Sequence, residues 1–169
     1  LMLLAEPIRN GNQVSFKQVE YDHGDRDALH AGGIAWFGRY LYVVDTREGF
    51  RVFDLSRVMR IPDTDDKNRI GISGGEIHAL GYRYIIPQVA RYRPAEGSCP
   101  YSFSAVSLDR STDPPTLLTA EYKSANIQGR LVHWPIDKAT GKLLDIEGQV
   151  RGRDARVAAQ SRMQGALSW

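Results

Sequence analysis

The sequence of 169 residues contains a single cysteine, Cys99. An internal disulfide framework is therefore excluded, which favours a reducing compartment, although larger secreted β-proteins also fold without bridges. Long hydrophobic runs are missing too, since nothing approaches the roughly 18 apolar residues of a membrane-spanning helix. Lys and Arg number 22 against 20 Asp and Glu, so the net charge is only +2. Because no basic run is interleaved with aromatic residues, we expect neither a nucleic acid nor a membrane as partner.

Recognised catalytic signatures are also missing. The chain has no G-x-S-x-G elbow, no phosphate-cradling glycine loop, no H-E-x-x-H and no paired-cysteine zinc pattern. Cys99 stands in Gly-Ser-Cys-Pro with no identifiable base beside it, so we do not expect a catalytic thiol. With 42% hydrophobic residues, the chain can still bury one ordinary globular core.

Short β-forming segments dominate what is present. They recur about every 8–12 residues, a spacing typical of sandwiches, barrels and propellers, and no helix of more than two turns is predicted. The clearest pair is a hairpin over residues 40–53, in which Gly49 ends the connection and can adopt a positive φ. We predict an all-β fold with strands over residues 1–6, 14–21, 30–36, 40–44, 50–53, 76–80, 82–92, 101–108, 116–122, 131–136, 143–146 and 163–169.

Several segments carry more specific expectations. Pro87 predicts a break or bulge in its strand, because proline cannot donate to a ladder. Residues 57–60 predict one helical turn capped by Asp54 or Ser56, and residues 63–75 predict a polar excursion. Residues 151–160 fit helix or loop. Glycines within 30–36 indicate a place where backbones crowd together or a ligand approaches closely.

The hairpin resembles the inner strands of a propeller blade of the NHL/YVTN type. The matching residues are Gly38, Tyr42, Val43, Asp45, Gly49, Val52, Phe53 and Asp54. Most of the chain is similar to a family of secreted, functionally uncharacterised, β-propeller-like proteins of Streptomyces and related actinobacteria. The similar stretches are HAGGIAWFGRYLYVVDTREGFRVFDLSRV, HALGYRYIIPQVARY with YSFSAVSLDRST, and RLVHWPID with MQGALSW.

This resemblance implies a β-propeller-like meander of four-stranded blades that is incomplete in this chain. Residues 1–169 would form a single domain or part of one, with approximate blades at 30–75 and 82–137 and edge strands at both ends. The chain would then be an interior fragment of a longer propeller. One option is that another chain supplies the remaining blades. The resemblance implies secretion and the binding of a small molecule, glycan or protein at the axial face.

In that arrangement the innermost strands would start at His30, Gln88 and Gln164, which would line the mouth of a central channel. His30 is the favoured candidate, because a neutral imidazole can ligate a metal or act as a base. The alternatives are a histidine bonded to a neighbouring loop and glutamines that tie blades together. For Asp45, the favoured interpretation is an aspartate that accepts hydrogen bonds from the amides of its turn, and the alternative is a calcium ligand.

His78 lies two residues after Glu76, so on a strand both side chains share one face. Two interpretations stay open: the pair binds a metal, or its members bond to each other at the edge of a sheet. His133 is expected on a solvated outer strand. Residues 63–68 resemble a calcium loop, but Lys67 occupies a ligand position. We therefore assign no metal site and no cofactor, with calcium the one ion left open.

Whether the protein is an enzyme is left undecided. The leading interpretation is a non-catalytic binding module. A metal-assisted hydrolase or lyase, of the calcium- or zinc-dependent lactonase or strictosidine-synthase-like type, would need His30, Asp45 and a third group to converge. A purely structural fragment completed by a partner chain is the third possibility.

Overall fold

A computed structural model describes residues 2–10, 13–19, 29–62, 66–125 and 127–168. About 54% of the described residues are strand, and the only helical element among them is a single 3-10 turn, Leu55–Arg57. The expected all-β class is confirmed, and the described strands form several sheets, none of them closed.

Fifteen strands follow one another within the described ranges. They are β1 (Met2–Asn10), β2 (Gln13–Gln18), β3 (Ala31–Phe37), β4 (Tyr40–Asp45), β5 (Gly49–Asp54), β6 (Met59–Arg60), β7 (Ile70–Ser73), β8 (Glu76–Ala79), β9 (Tyr84–Tyr92), β10 (Phe103–Asp109), β11 (Thr116–Glu121), β12 (Arg130–Pro135), β13 (Asp145–Ile146), β14 (Gln149–Val150) and β15 (Arg153–Val157). They fall into two compact units, one of residues 1–29 with 52–90 and one of residues 30–51 with 91–169.

The first unit is built around β9. β1 pairs with it in parallel and with β2 in antiparallel register, while β6 pairs with β9 as well. β7 and β8 form a separate hairpin. A small core of buried side chains stabilises this unit, made of Leu3, Ala5, Phe16, Ile61, Ala79 and Ile85.

The second unit contains an antiparallel meander in the order β10-β11-β12-β15. It also contains the β3–β4 hairpin, whose two-residue turn places Gly38 at a φ of 57°. The buried Tyr42 of β4 donates its hydroxyl hydrogen to the Gly141 carbonyl oxygen at 2.5 Å. This hydrogen bond joins β4 to a turn about a hundred residues later in the chain.

The expected close backbone approach at the β3 glycines is confirmed. A Cβ atom on Gly32 would lie 2.5 Å from the Phe103 carbonyl oxygen, and one on Gly33 would lie 2.9 Å from the Val106 amide nitrogen. The β3 backbone therefore lies directly against β10, at a separation that only glycine permits.

The remaining local expectations have mixed outcomes. The positive φ of Gly49, at 88°, is confirmed, as is Asp54 as a cap, since Asp54 Oδ1 accepts from the Ser56 amide at 3.0 Å. The helical turn spans Leu55–Arg57 rather than residues 57–60. β9 runs through Pro87 without interruption, because Pro87 occupies the last paired position between β1 and β9, where its missing N–H costs little.

Three other segments differ from the sequence prediction. Ile70–Ser73 is a strand inside the predicted polar excursion, where Ile70 and Ile72 on either side of Gly71 are the only strong β-formers. The ambiguous segment holds β15 (Arg153–Val157). The predicted strand over 163–169 is wrong for its described residues 163–168, which pair with no neighbouring strand.

The β3–β10 contact predicts the behaviour of a single added methyl group. Gly32→Ala should lower the free energy of unfolding by about 2 kcal/mol, because the new Cβ overlaps a backbone carbonyl that cannot move aside. Urea unfolding measures it. Gly165→Ala is the matched control, since a Cβ there meets nothing within 4 Å. Equal stability of the two variants would contradict the close approach.

Candidate functional site

A cavity of about 460 Å³ opens within the second unit. Its wall comes from the start of β5, from residues between 91 and 101, and from residues 145–152 around β13 and β14. Phe103 of β10 and Trp134 of β12 complete it. The volume lies in the range of small-molecule sites, roughly 300–1,000 Å³.

Four rings in mutual contact form one apolar part of the wall, which we call the aromatic cluster: Phe50, Tyr101, Phe103 and Trp134. The Phe50 centroid lies 5.3 Å from those of both Phe103 and Trp134, and Tyr101 lies 4.6 Å from Phe103. The steep interplanar angles are those of edge-to-face contacts, which aromatic rings prefer. Phe50 and Phe103 are buried, whereas Tyr101 and Trp134 are half-buried and keep accessible surface.

The polar atoms of these two half-buried rings are bonded to the sheet. Trp134 Nε1 donates to Thr119 Oγ1 at 2.8 Å. The Tyr101 hydroxyl lies 2.9 Å from Thr119 Oγ1 and within 3.2 Å of the Thr119 and Arg130 carbonyl oxygens. Burial raises the pKa of Tyr101 to about 12, so the phenol stays neutral at ordinary pH. The surface that Tyr101 and Trp134 offer to the cavity is therefore mainly aromatic carbon.

An ion-pair network supports the Tyr101 side of the wall. The Arg130 guanidinium lies 5.2 Å from the Tyr101 ring centroid and also donates to the Pro100 carbonyl oxygen. Both oxygens of the fully buried Glu121 accept from Arg130 at 2.7 Å, and Lys123 Nζ lies 2.9 Å from Oε1. Burial acts to raise the pKa of Glu121, but the hydrogen bonds and charges of Arg130 and Lys123 outweigh it and lower the pKa below its ordinary value.

Charged groups stand around the cavity on several wall segments. Glu48 Oε2 accepts from Arg91 Nη2 at 3.1 Å and lies 3.2 Å from Arg93 Nε, so one carboxylate oxygen joins both arginines. Arg151 Nη2 donates to Gln149 Oε1 at 3.2 Å. Three arginines line the cavity, and Asp145 is the one carboxylate among the described lining residues.

The structure brings two predicted candidates, His30 and Asp45, next to each other. Ala31 pairs with Asp45, and the His30 carbonyl oxygen accepts from the Thr46 amide at 2.9 Å. The His30 side chain is exposed. Asp45 is fully buried: its Oδ2 accepts from Arg51 Nε and Nη2 at 3.1 Å each, and Oδ1 accepts from the Arg47 amide at 3.3 Å. Asp45 therefore bonds its own turn, as its leading interpretation proposed, and adds a buried ion pair.

Gln88 and Gln164 do not begin strands. Gln88 lies in the middle of β9 in the first unit, is 7% exposed, and lines a shallow hollow beside Pro7, Arg9 and Met59. Its Oε1 has no hydrogen-bond partner among the described residues. Gln164 is exposed, in the strand-free segment 163–168. None of His30, Gln88 and Gln164 lines the aromatic cavity.

Two histidines sit beside carboxylates. His78 Nε2 lies 3.8 Å from Glu76 Oε2, as expected for residues two apart on a strand, and His78 itself is buried. His133 Nδ1 lies 3.3 Å from the buried Asp109 Oδ2 and 3.1 Å from Thr116 Oγ1. His133 is half-buried on an inner strand of its sheet, so its expected place on a solvated outer strand is wrong.

Metal binding finds no further support in the described ranges, where no three His, Cys, Asp or Glu side chains form a group able to hold an ion. Half of the predicted degenerate calcium loop, residues 63–65, lies outside them. No family model, no curated protein and no solved structure matches the chain. Within the part of the chain that the structure describes, no helix is long and apolar enough to span a bilayer.

One cavity residue, Trp134, can be picked out from the sequence, where core packing is its default role and a stacking platform for a sugar is the alternative. In the structure Trp134 keeps part of its surface in the cavity. One signal existed: alternation over 101–108 places Tyr101 and Phe103 on the same face of a strand. Nothing in the sequence shows that residues 145–152 fold over that face.

The supporting ion pairs predict a pH dependence. Because the pKa of Glu121 is lowered on folding, its contribution to stability is complete above the unfolded pKa of about 4.3 and is lost as the pH falls through the folded value. Glu121→Gln should cost about 2–3 kcal/mol at pH 7, since a buried partner of Arg130 loses its charge, and this deficit should shrink below pH 4. Urea unfolding at a series of pH values measures it.

Glu96→Gln serves as the comparison for this series, because Glu96 is an exposed carboxylate on the same unit. It should leave the pH profile of the free energy of unfolding unchanged. A Glu121→Gln deficit that persists undiminished in acid would show that the charge of Glu121 is not what stabilises the wall.

Proposed function

We propose that this protein is a secreted, β-propeller-like binding module that holds a small organic ligand in the aromatic-lined cavity of its second unit. The observation that carries the proposal is the cavity itself: about 460 Å³, with the aromatic cluster on one part of its wall and charged side chains on others. Largely apolar concavities with a few convergent polar groups are typical ligand sites.

Two features support the propeller-like part of the proposal. The β10-β11-β12-β15 meander has the antiparallel four-stranded order of a propeller blade. The contact of β3 with β10 through Gly32 and Gly33 is the kind of crowding expected of inner strands around an axis. Secretion rests on the family resemblance of the sequence. The cavity then takes the place of the predicted axial face as the ligand site.

The wall is suited to recognition rather than to covalent chemistry. The half-buried rings of Tyr101 and Trp134 offer stacking surface, and the arginines and Asp145 offer hydrogen bonds that orient a ligand. We do not propose a metal-assisted reaction at His30 and Asp45, because the Asp45 carboxylate already accepts hydrogen bonds from Arg51 and from its own turn.

Trp134→Ala tests the proposal directly. Calorimetric titration with tryptophol, an indole alcohol, and with cellobiose, a sugar whose C–H faces can stack on tryptophan, should detect binding of at least one probe. Trp134→Ala should weaken that binding about tenfold, because the main stacking surface is removed. Trp134→Phe should retain part of it.

Trp36→Ala is the matched control, since Trp36 is 65% exposed on β3 of the same unit and is not among the lining residues. It should bind the probes like the parent protein. Thermal melts of each variant separate lost binding from lost folding. Binding that survives in a folded Trp134→Ala variant, or that Trp36→Ala abolishes equally, would place the ligand site elsewhere.

A further inference from the structure

We propose that the ligand of this cavity carries an anionic group, such as a carboxylate or phosphate, beside a flat apolar body. The inference rests on the proposed function and specifies its ligand class. It rests on two features of the cavity wall. The aromatic cluster offers a flat apolar surface, and the charged side chains that line the cavity are mostly arginines.

The apolar body follows from the aromatic cluster. Trp134 and Tyr101 direct their polar atoms to Thr119, and Thr119 is fully buried in β11. A ligand over these rings meets carbon surface with a π-electron face, which favours a planar ring or the C–H face of a sugar. A strongly hydrated ligand would lose its water there without replacement.

The anionic group follows from the charge balance of the wall. Arg91, Arg93 and Arg151 line the cavity against one lining carboxylate, Asp145. Glu48, whose carboxylate pairs with Arg91 and Arg93, offsets one further positive charge. Together these three arginines and two carboxylates carry a formal excess of one positive charge. A cationic ligand would therefore be repelled, and an anionic one attracted.

Two arginines are placed to make the contact. The Arg93 side chain is 61% exposed, with Nε directed to Glu48, and Arg151 is exposed with Nη2 bonded to Gln149. They come from different wall segments, 91–101 and 145–152, so an anion between them would join the two parts of the wall. The guanidinium group suits this role, because its planar set of donors can bind both oxygens of a carboxylate or phosphate.

Exposed arginines are common on any protein surface, where solvent screens them and each contributes little. Here they stand beside the aromatic cluster. A ligand stacked on the rings displaces water from beside the guanidinium groups, which lowers the local dielectric and strengthens their attraction for a charge on that ligand. This placement distinguishes Arg93 and Arg151 from an arginine such as Arg156, which is exposed on β15 and lines no part of the cavity.

Three probes with the same ring and different charge test the inference. Calorimetric titrations compare tryptophol, indole-3-acetate and tryptamine, which are neutral, anionic and cationic. Indole-3-acetate should bind about fivefold more tightly than tryptophol, and tryptamine more weakly than either, with the preference falling as salt rises from about 0.02 M to about 0.5 M. The double variant Arg93→Gln/Arg151→Gln should weaken the binding of indole-3-acetate more than that of tryptophol, and so bring the anion preference close to one.

Arg156→Gln should keep the full preference, which controls for the overall charge of the protein. The salt dependence of the parent protein needs no variant, so the inference stays testable even if the double variant folds poorly. Equal affinity for the three indoles, or binding of cellobiose alone, would overturn the anionic ligand while the binding function stands. Failure of all four probes to bind would overturn both.

Discussion

The contact between the backbones of β3 and β10 is the constraint on which the second unit depends. Gly32 lies against the Phe103 carbonyl, and Gly33 lies against the Val106 amide. The same residue that receives this contact, Phe103, carries a ring of the aromatic cluster. The close packing of two strands and the position of the cavity wall are therefore consequences of one arrangement, because a side chain at Gly32 would displace the strand that holds Phe103.

Buried charge plays a structural part at two places in this unit. Asp45 and Arg51 are both nearly inaccessible and form a two-bond ion pair across the turn between β4 and β5. Glu121 is inaccessible too, and it holds Arg130 over Tyr101. Such pairs are costly to desolvate and costly to break singly. Their geometry ties a turn and a cavity wall to the sheets beside them, because both carboxylates accept hydrogen bonds from arginines of the same unit.

The cavity is assembled from segments that are distant in the chain. Phe50 begins one strand, Tyr101 and Phe103 lie about fifty residues later, and Trp134 and residues 145–152 follow. No segment by itself indicates a cavity: one is a buried hairpin, one is an alternating strand, and one is a connection rich in glycine and polar residues. Only their convergence creates an apolar surface with positive charge around it, and this combination underlies both the binding function and the anionic ligand that we propose.

Local chemistry by itself determined much of this protein. Alternating β-formers indicated the all-β class and most strands, and Gly49 indicated the tight turn after Asp45. The paired glycines of β3 indicated that another backbone or a ligand lies close to that strand. These features depend on residues near one another in the chain, and so they can be read from the sequence. Other features required knowledge of neighbouring segments: the partner of that approach, the contact of the half-buried His133 with Asp109, and the failure of residues 163–168 to pair as a strand. Tertiary structure alone decided the cavity that we propose as the ligand site: it left His30 and Gln164 outside the cavity and placed Trp134 and the arginines on its wall, because cavities are made by long-range packing that no local pattern encodes.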